Sequence, residues 1–461
     1  MKKSLIFSVV IIVLFGLKSN AQQSLSLLGE NIYSTNYNIG KPSFYKWHAT
    51  IPLLSNTNIL ISENLVTYKD LIIQTDTSKI INPRGLLRNL KRTTSFQFHL
   101  NEEILGFGFK IKNNSYLIFS TRLRTETYFF FPNELMKMFI EGNVDYIGKN
   151  VKSSPALYHT SYVEVGIGYQ YTIDKNYTIG IRPKLLLGIT NIHTTESEIN
   201  FLTTQNWDLQ ANANVQANTY LPFNNEFEFQ SDAFFSGLYK NIGMSVDLGT
   251  NIKLPYNLGI AVSVNDLGFI SWKSDELANK ANFHTNDTGS FIKDGSINFD
   301  GLKLTMQDLI EGKFEDATSF FDSLNQDDFI TYSYDKIKAY RSSVYPKLYV
   351  EAFYNLSKFR FSILSRTDFV GKKILPSFTF GCSGYFGDIV ELALSYSIYN
   401  RTYTNLGFGF HFHFGPVQWY CTFDNIIAPL IPMQLNNFSI QSGLFLGIRS
   451  KENKKLRSSD M

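Results

Sequence analysis

Apolar and polar side chains alternate with a period of two in one segment after another downstream of residue 94. Successive side chains of a β-strand point to opposite faces, so this period predicts strands that each carry one apolar face. The strongest stripe comprises Leu406, Phe408, Phe410, Phe412 and Phe414. Further stripes follow at short intervals, which predicts that most of the chain forms one antiparallel meander.

The connections between these predicted strands alternate between short and long. Short ones of turn-like composition fall at 113–114, 174–176, 203–206, 255–256, 356–358, 386–388 and 415–416. Longer ones fall at 130–156, 191–195, 220–242, 271–345, 369–373, 400–403 and 425–437. Short turns at one end and long loops at the other are typical of outer-membrane barrels.

The sequence therefore predicts an all-β fold, an antiparallel up-and-down transmembrane β-barrel of about 16 strands. A first strand near 45–53 and a short one near 196–202 are weakly marked, so 14 strands is the alternative. Short helices are expected at the rim or in a plug.

Periodicity alone does not say which face of each strand meets water. A soluble sandwich buries its apolar faces, whereas a membrane barrel turns them toward lipid. Aromatic residues make up 15% of the chain and charged residues only 18%, which favours the barrel. The polar faces then point into the lumen, and its candidate lining residues are Glu164, Arg182, Asp247, Glu351, Arg360, Arg366, Glu391, His411 and His413.

The two ends of the chain have distinct compositions. Residues 1–21 read as a secretory signal, with Lys2 and Lys3 before a short apolar core and Ala21 at the cleavage position. A single barrel is expected over 22–449, followed by a basic periplasmic tail at 450–461. Within the barrel, 54–93 is a candidate plug or cap and 271–345 is a long outer loop.

Residues that could carry chemistry are few. The chain has no Walker A loop, no H-E-x-x-H and no G-x-S-x-G, so no enzyme activity is expected. His411 and His413 lie two residues apart on one strand face and could chelate zinc or copper if a third ligand approached, but polar filling of the lumen is the expected role, with no metal or cofactor. Cys382 and Cys421 are expected as free thiols on lipid-facing stripes. A net charge of +3 gives no reason to expect a nucleic-acid partner.

A tripeptide recurs as Asp247-Leu-Gly249 and Asp266-Leu-Gly268. The first Asp is expected in the lumen, and the second at the end of its strand, where Asp favours a turn. The surrounding stretches Asn241–Gly249 and Ser263–Trp272 resemble a signature of uncharacterised Bacteroidota outer-membrane barrels, a domain of unknown function. The start of the expected mature chain, from Ser26–Gly29 to Tyr37–Asn38, is similar to that family's opening, and Asp424–Ile426, ahead of the last predicted strand, resembles the family as well.

The resemblance implies a fold more than an activity, since such barrels are distantly similar to FadL-type hydrophobic-substrate transporters and PorV-type secretion barrels. The leading hypothesis is an outer-membrane barrel of a Gram-negative cell that passes a small molecule, hydrophobic or not, through a partly plugged lumen. The alternative is a non-transporting assembly or secretion partner that binds other envelope proteins. A membrane-embedded hydrolase is the third reading. Outer-membrane lipid is the one partner that all three share.

Overall fold

A closed antiparallel barrel accounts for most of the chain. The structure is a computed structural model, and it describes residues 24–64, 72–74, 79–81, 93–134, 137–138, 144–205, 209–222, 230–273, 278–285, 289–292, 330–337, 339–387, 389–399, 402–426 and 437–450. The strands are β1 (Tyr45–Thr50), β2 (Thr57–Glu63), β3 (Ile72–Gln74), β4 (Lys79–Ile81), β5 (Thr93–Lys112), β6 (Ser115–Pro132), β7 (Asn150–Ser153), β8 (Ala156–Thr172), β9 (Tyr177–Thr203), β10 (Leu209–Tyr220), β11 (Ile242–Lys253), β12 (Leu258–Lys273), β13 (Ala278–Thr285), β14 (Gly289–Ile292), β15 (Ile330–Lys336), β16 (Ala339–Ser343), β17 (Lys347–Leu356), β18 (Phe359–Val370), β19 (Lys373–Phe386), β20 (Val390–Tyr399), β21 (Thr402–Phe414), β22 (Val417–Phe423) and β23 (Asn437–Arg449). Short helices span Ser24–Leu27, Ile32–Asn36, Val144–Tyr146 and Ser231–Lys240.

The wall of the barrel has 14 strand positions in the described part of the chain. Strands β1 and β2 share the first position, because both pair with β23 on one side and with β5 on the other. The wall then runs through β6, β8, β9, β11, β12 and β17 to β23. The all-β, up-and-down barrel predicted from the sequence is confirmed, at the lower of its two strand counts.

The difference between 16 and 14 strands comes from one region. The predicted strands at 177–190 and 196–202 are a single strand, β9, which extends beyond the barrel. Strand β10 folds back onto this extension, with Leu209 opposite Thr203, and carries β13 and β14 at its other edge. The turn at 203–206 was therefore wrongly assigned to the short-turn end, and no long connection exists at 191–195.

Burial along the wall strands shows which face points inward. Outward residues such as Leu394, 55% exposed, alternate with inward polar residues such as Ser395, 3% exposed. The same alternation holds in β6 and in β23. The barrel is thus apolar outside and polar inside, as predicted for a protein surrounded by lipid.

Both ends of the barrel are defined by their connections. Six short turns, at 113–114, 173–176, 254–257, 357–358, 387–389 and 415–416, form what we call the tight-turn end. The opposite, long-loop end carries the connections around 64–92, 133–155, 204–241, 274–346 and 424–436. Two connections at this end, 371–372 and 400–401, are only two residues long, shorter than the sequence suggested.

The interior holds residues 24–44, here called the lumen segment. Its apolar side chains are buried, among them Leu25, Leu27, Ile32 and Ile39.

The first part of the predicted plug, 54–93, belongs to the wall and not to a plug, because 57–63 is wall strand β2. Residues 65–71, 75–78 and 82–92 of that segment lie outside the described residues, as do residues 1–23, most of the outer loop at 293–329 and the tail from 451.

Two further features concern the membrane and the cysteines. Among the described residues, no helix combines the length and the apolar character needed to cross a bilayer. Cys382 in β19 and Cys421 in β22 are free, with two wall strands between theirs. This agrees with the free thiols that the sequence predicted.

Candidate functional site

The lumen segment is held by hydrogen bonds to the inner faces of strands on opposite sides of the barrel. On one side, the backbone N–H groups of Gly29 and Glu30 donate to the two carboxylate oxygens of Glu391, at 2.5 and 3.3 Å. On the other side, the Gln170 side chain donates to the backbone oxygens of Ile39 and Lys41 at 2.9 and 2.8 Å. The segment therefore crosses the lumen rather than lining one wall.

At one place the segment lies directly on the backbone of the wall. Gly180 of β9 and Gly249 of β11 are paired across the two strands. A Cβ atom built on Gly180 would collide with the backbone of Ile39, and one built on Gly249 would collide with Asn38 and Gly40. Only glycine leaves room for this approach, so the pair serves as a seat for residues 38–40.

An apolar groove lies on the outer face of the barrel, directly behind Gly180 and Gly249. A groove of about 550 Å³ on the outer face has Gly180 and Gly249 in its lining, together with outward side chains such as Tyr169, Ile181 and Leu248. The lumen segment inside and this apolar groove outside are separated by strand backbone alone.

Apolar side chains cover the segment elsewhere. Leu25, Leu27, Leu28, Ile32, Tyr33, Tyr37 and Ile39 pack in one cluster with inward residues of the wall. The wall contributes Tyr45, Tyr116, Ile118, Tyr349, Leu364, Ala393, Tyr420 and Phe445. Tyr33 stacks edge-on against Phe445 with ring centroids 5.5 Å apart. The otherwise polar interior of the barrel thus contains an apolar belt, which these inward wall residues form where the lumen segment covers them.

Beside the segment, toward the long-loop end, lies a buried ion-pair network. Lys184 Nζ lies 2.6 Å from a carboxylate oxygen of both Asp247 and Asp266. Arg124 contacts Glu164 at 2.9 Å and Asp266 at 2.8 Å. Its remaining members are Arg122, which pairs with Glu164, Arg182, which lies 3.9 Å from Asp247, and Glu126, which pairs with Lys347 at 2.9 Å. Because β6 and β17 are five wall positions apart, the Glu126–Lys347 pair reaches across the lumen.

Asp266 owes its place in the network to a bulge. Val246 pairs with Leu267 and Leu248 with Val264, so β12 has one residue more than β11 between these pairs. Asp266 takes a φ of 60° there and is 3% exposed. The prediction that Asp266 ends its strand is wrong, since β12 continues to Lys273.

The predicted lumen residues are all drawn into the interior, but in separate groups. Glu164, Arg182 and Asp247 belong to the ion-pair network. Glu351 pairs with Arg360 at 2.7 Å, and Arg366 pairs with Asp368 at 2.7 Å. Arg122, Arg124 and Glu126 were missed, although they alternate on one face of β6. That period-two run of charges was a readable signal.

Glu391, His411 and His413 form a further group. Together with Glu30, we call these residues the histidine cluster. Glu391 of β20 is paired with His411 of β21, and both side chains are fully buried. Nδ1 of His411 lies 3.8 Å from the Glu391 carboxylate. Nε2 of His413 lies 3.8 Å from the carboxylate of Glu30, which Arg449 also contacts at 3.0 Å.

The cavities between these groups are small and polar. A space of about 60 Å³ lies between the lumen segment and the ion-pair network, and its lining includes Asn36, Tyr37, Arg124 and Asp266. A second space, of about 20 Å³, adjoins Lys41 and Glu351. Such volumes hold one or a few water molecules. Neither of these two spaces has room for a larger solute.

Comparison with known proteins places the chain in a family. The sequence profile of a family of unknown function, DUF5723, matches residues 41–424. The predicted resemblance to a domain of unknown function is thereby confirmed. No curated protein matches the sequence.

Several solved structures are similar in fold. A Pseudomonas aeruginosa FadL homologue shares 8% identity at a TM-score of 0.38, with 93% of this chain and 96% of that chain covered. The Ralstonia pickettii toluene transporter TbuX shares 7% identity at a TM-score of 0.32, with 94% and 99% covered. A deletion mutant of the monoaromatic hydrocarbon channel TodX shares 9% identity at a TM-score of 0.42, with 95% and 100% covered.

Proposed function

This chain belongs to the DUF5723 family of unknown function, and we propose that it is an outer-membrane barrel that passes a small hydrophobic molecule when its lumen segment withdraws. The apolar outer face supports a place in a lipid bilayer. A closed barrel in a bacterial envelope belongs to the outer membrane, which would require the export signal expected at residues 1–21.

The observation that carries this proposal is the apolar belt beneath the lumen segment. Tyr116, Ile118, Tyr349, Tyr420 and Phe445 point inward and are covered by side chains of the segment. Withdrawal of the segment would expose these residues to water, which is unfavourable unless an apolar solute replaces it. The belt thus supports a hydrophobic solute more than an ion or a sugar.

The lumen segment is the element best suited to move. Neutral hydrogen bonds and backbone contacts hold much of it to the wall, as at Asn38, whose side chain donates to the Thr250 backbone oxygen at 3.0 Å. It is joined to the wall covalently at one end of its described part, where Pro42–Phe44 lead into β1. The ion-pair network is less mobile, because each of its buried charges has lost water and depends on its partners.

A second candidate, a non-transporting partner of other envelope proteins, is favoured by a different observation. Strands β10, β13, β14 and β15 form a sheet that extends beyond the barrel from the outer half of β9. Such an extension offers a surface for protein binding at the long-loop end. The ion pairs that cross the lumen also favour a barrel that stays closed.

A reversible disulfide between the lumen segment and the wall distinguishes transport from a non-transporting role. The double variant Ser24→Cys and Ser395→Cys, in a background with Cys382→Ser and Cys421→Ser, places two thiols where the segment touches the wall, because the two serine hydroxyl oxygens lie 2.9 Å apart. Liposomes containing this protein are tested for entry of the hydrophobic fluorophore N-phenylnaphthylamine, with planar-bilayer conductance as a second measurement. The single variant Ser24→Cys is the control, since it cannot form the disulfide.

For transport, entry through the double variant is lost on oxidation and returns with reductant, while the control is unaffected by either. For a non-transporting partner, neither the wild-type protein nor either variant admits the fluorophore faster than protein-free liposomes. That second result, obtained with correctly folded barrels, would remove transport as the function.

A further inference from the structure

We propose that Glu391, His411 and His413, together with Glu30, form a zinc site at the tight-turn end of the lumen. Three of these residues belong to the wall and the fourth to the lumen segment. A bound ion would therefore join the segment to the wall. The proposal does not depend on the passage of a hydrophobic molecule, and it can be tested without any transport measurement.

Three donor residues already lie close together, and the carboxylate of Glu30 lies next to one of them, His413. One ligand atom each from Glu391, His411 and His413 lies within 4.8 Å of the others. The ring centroids of the two histidines are 4.0 Å apart. Donors on a tetrahedral zinc ion at about 2.0–2.1 Å are separated by roughly 3.3–3.5 Å. The carboxylate–imidazole distances of 3.8 Å therefore need only a small contraction to close on an ion.

The surrounding hydrogen bonds orient these donors. The side-chain oxygen of Gln418 accepts a hydrogen bond from Nδ1 of His413, which leaves Nε2, on the side of Glu30, as the ring nitrogen with a lone pair. Gln418 is itself fixed, because its amide nitrogen donates to the Gly415 backbone oxygen at 2.9 Å. Ligand histidines in metal sites are commonly held through the other ring nitrogen in this way.

Glu391 is oriented as firmly as His413. Its two carboxylate oxygens accept the backbone N–H groups of Gly29 and Glu30. The hydroxyl of Tyr385 hydrogen-bonds the same carboxylate. A carboxylate has about four lone-pair sites, so these three hydrogen bonds position Glu391 and still leave one site for a metal.

The charges near the cluster also favour a cation. Two carboxylates and two neutral imidazoles carry a charge of −2, which Arg449 reduces to −1 through its contact with Glu30. Lys41 acts on Glu391 electrostatically from farther away. Without an ion, these two carboxylates and Arg449 carry a net negative charge, and burial of uncompensated carboxylates is costly.

The donor set selects among metals. Two imidazole nitrogens and two carboxylate oxygens suit zinc, whereas calcium and magnesium prefer oxygen donors throughout. Copper(II) binds such donors as well but favours a tetragonal arrangement. The four donors are drawn from two strands and the lumen segment rather than from one strand, and such a set suits the tetrahedral arrangement of zinc.

The experiment uses the full-length folded protein, stripped of metal with a chelator and then equilibrated with zinc sulfate. Zinc per chain is measured after gel filtration, and cobalt(II) replaces zinc to report the coordination geometry by visible absorption. The variants are His413→Gln, Glu391→Gln and Gln418→Leu. The matched control is His99→Gln, which alters a buried histidine in β5 far from the cluster.

We expect one zinc per wild-type chain and an intense tetrahedral cobalt spectrum that zinc abolishes. His413→Gln and Glu391→Gln should lose stoichiometric binding, and His99→Gln should keep it. Gln418→Leu retains all four ligands and should bind zinc about 10- to 100-fold more weakly. Should a ligand variant fail to fold, the wild-type spectrum and the Gln418→Leu affinity decide the matter. Absence of stoichiometric zinc in the wild-type protein, or equal binding by wild type and Gln418→Leu, would overturn the proposal.

Discussion

The backbone N–H of Asp266 donates a 2.8 Å hydrogen bond to the carboxylate of Asp247, across the bulge between β11 and β12. The two aspartates come from the repeated tripeptide, and Lys184 holds both at 2.6 Å. The bulge therefore turns a sequence repeat into a pair of adjacent carboxylates that organise the ion-pair network.

Replacement of Asp266 should be severe. Asp266→Ala removes the shared partner of Arg124, Lys184 and Lys347, and a buried charge that loses its partner costs about 3–5 kcal/mol. Asp247→Asn should cost less, since the new amide oxygen still accepts the Asp266 N–H. Urea unfolding in detergent, followed by heat-modifiable gel mobility, measures both. Asp232→Ala, on an exposed helix, is the control, and a loss at Asp232 equal to that at Asp266 would contradict the network.

The outward face of the wall should not tolerate charge. Leu394→Arg places a guanidinium in the lipid-facing belt and should destabilise the inserted barrel by about 2–4 kcal/mol if the residue lies near the bilayer midplane. Tyr256→Arg, in a tight turn and 78% exposed, should have little effect. Folding into liposomes of defined lipid gives the comparison. An equal tolerance of both changes would mean that the stripe does not meet lipid.

The glycine seat should control the position of the lumen segment. Gly249→Leu puts a side chain where Asn38 and Gly40 lie, so we expect the segment to be displaced and N-phenylnaphthylamine entry to rise. Thr250→Leu adds a side chain of the same size at the next position, which faces outward, and should leave entry unchanged. Chymotrypsin sensitivity at Tyr37 offers a separate measure, because that residue is buried in the structure and a displaced segment would expose it. Unaltered cleavage and entry in Gly249→Leu would show that the contact does not hold the segment.

The orientation of the barrel can be tested with two matched cysteines. Lys149 lies in the connection after β6 at the long-loop end, and Lys175 lies in a tight turn; both are exposed. In the Cys382→Ser and Cys421→Ser background, Lys149→Cys should react with a membrane-impermeant maleimide on intact cells. Lys175→Cys should react only after the outer membrane is breached. The reverse pattern of labelling would invert the assigned topology.

Much of the wall follows from local sequence. Alternation of Leu406 through Phe414 predicts both the strand and its outward face, and the same period predicts that His411 and His413 point inward; both are buried in the structure. These features depend on neighbours along one strand, where side-chain geometry has period two. The same period does not give the register of one strand against the next, so the contact between Glu391 and His411 could not be predicted.

The lumen segment shows where the pattern of the sequence stops being informative. Leu25, Leu27 and Leu28 precede the first strand and carry no sustained period, so nothing local distinguishes a buried segment from a flexible leader. Its place depends on Gly180 and Gly249, which are about 140 and 210 residues away along the chain. The bulge at Asp266 is similar, because a positive φ in the middle of a strand reflects its partners across the lumen rather than its neighbours.

The closing seam of the barrel predicts an order of assembly. The wall closes where β1 and β2 pair with β23, and Tyr45 at the start of β1 lies opposite Arg449 at the end of β23. Three residues, Pro42–Phe44, join that seam to Lys41, which lies inside the barrel, and the Ser450 N–H bonds the Phe44 oxygen at 2.9 Å. The apolar side chains of residues 24–41 are covered only when the wall surrounds them. We therefore expect the open sheet to curl around these residues as the barrel forms, so that the first residues of the wall and the last ones meet once the interior has been filled.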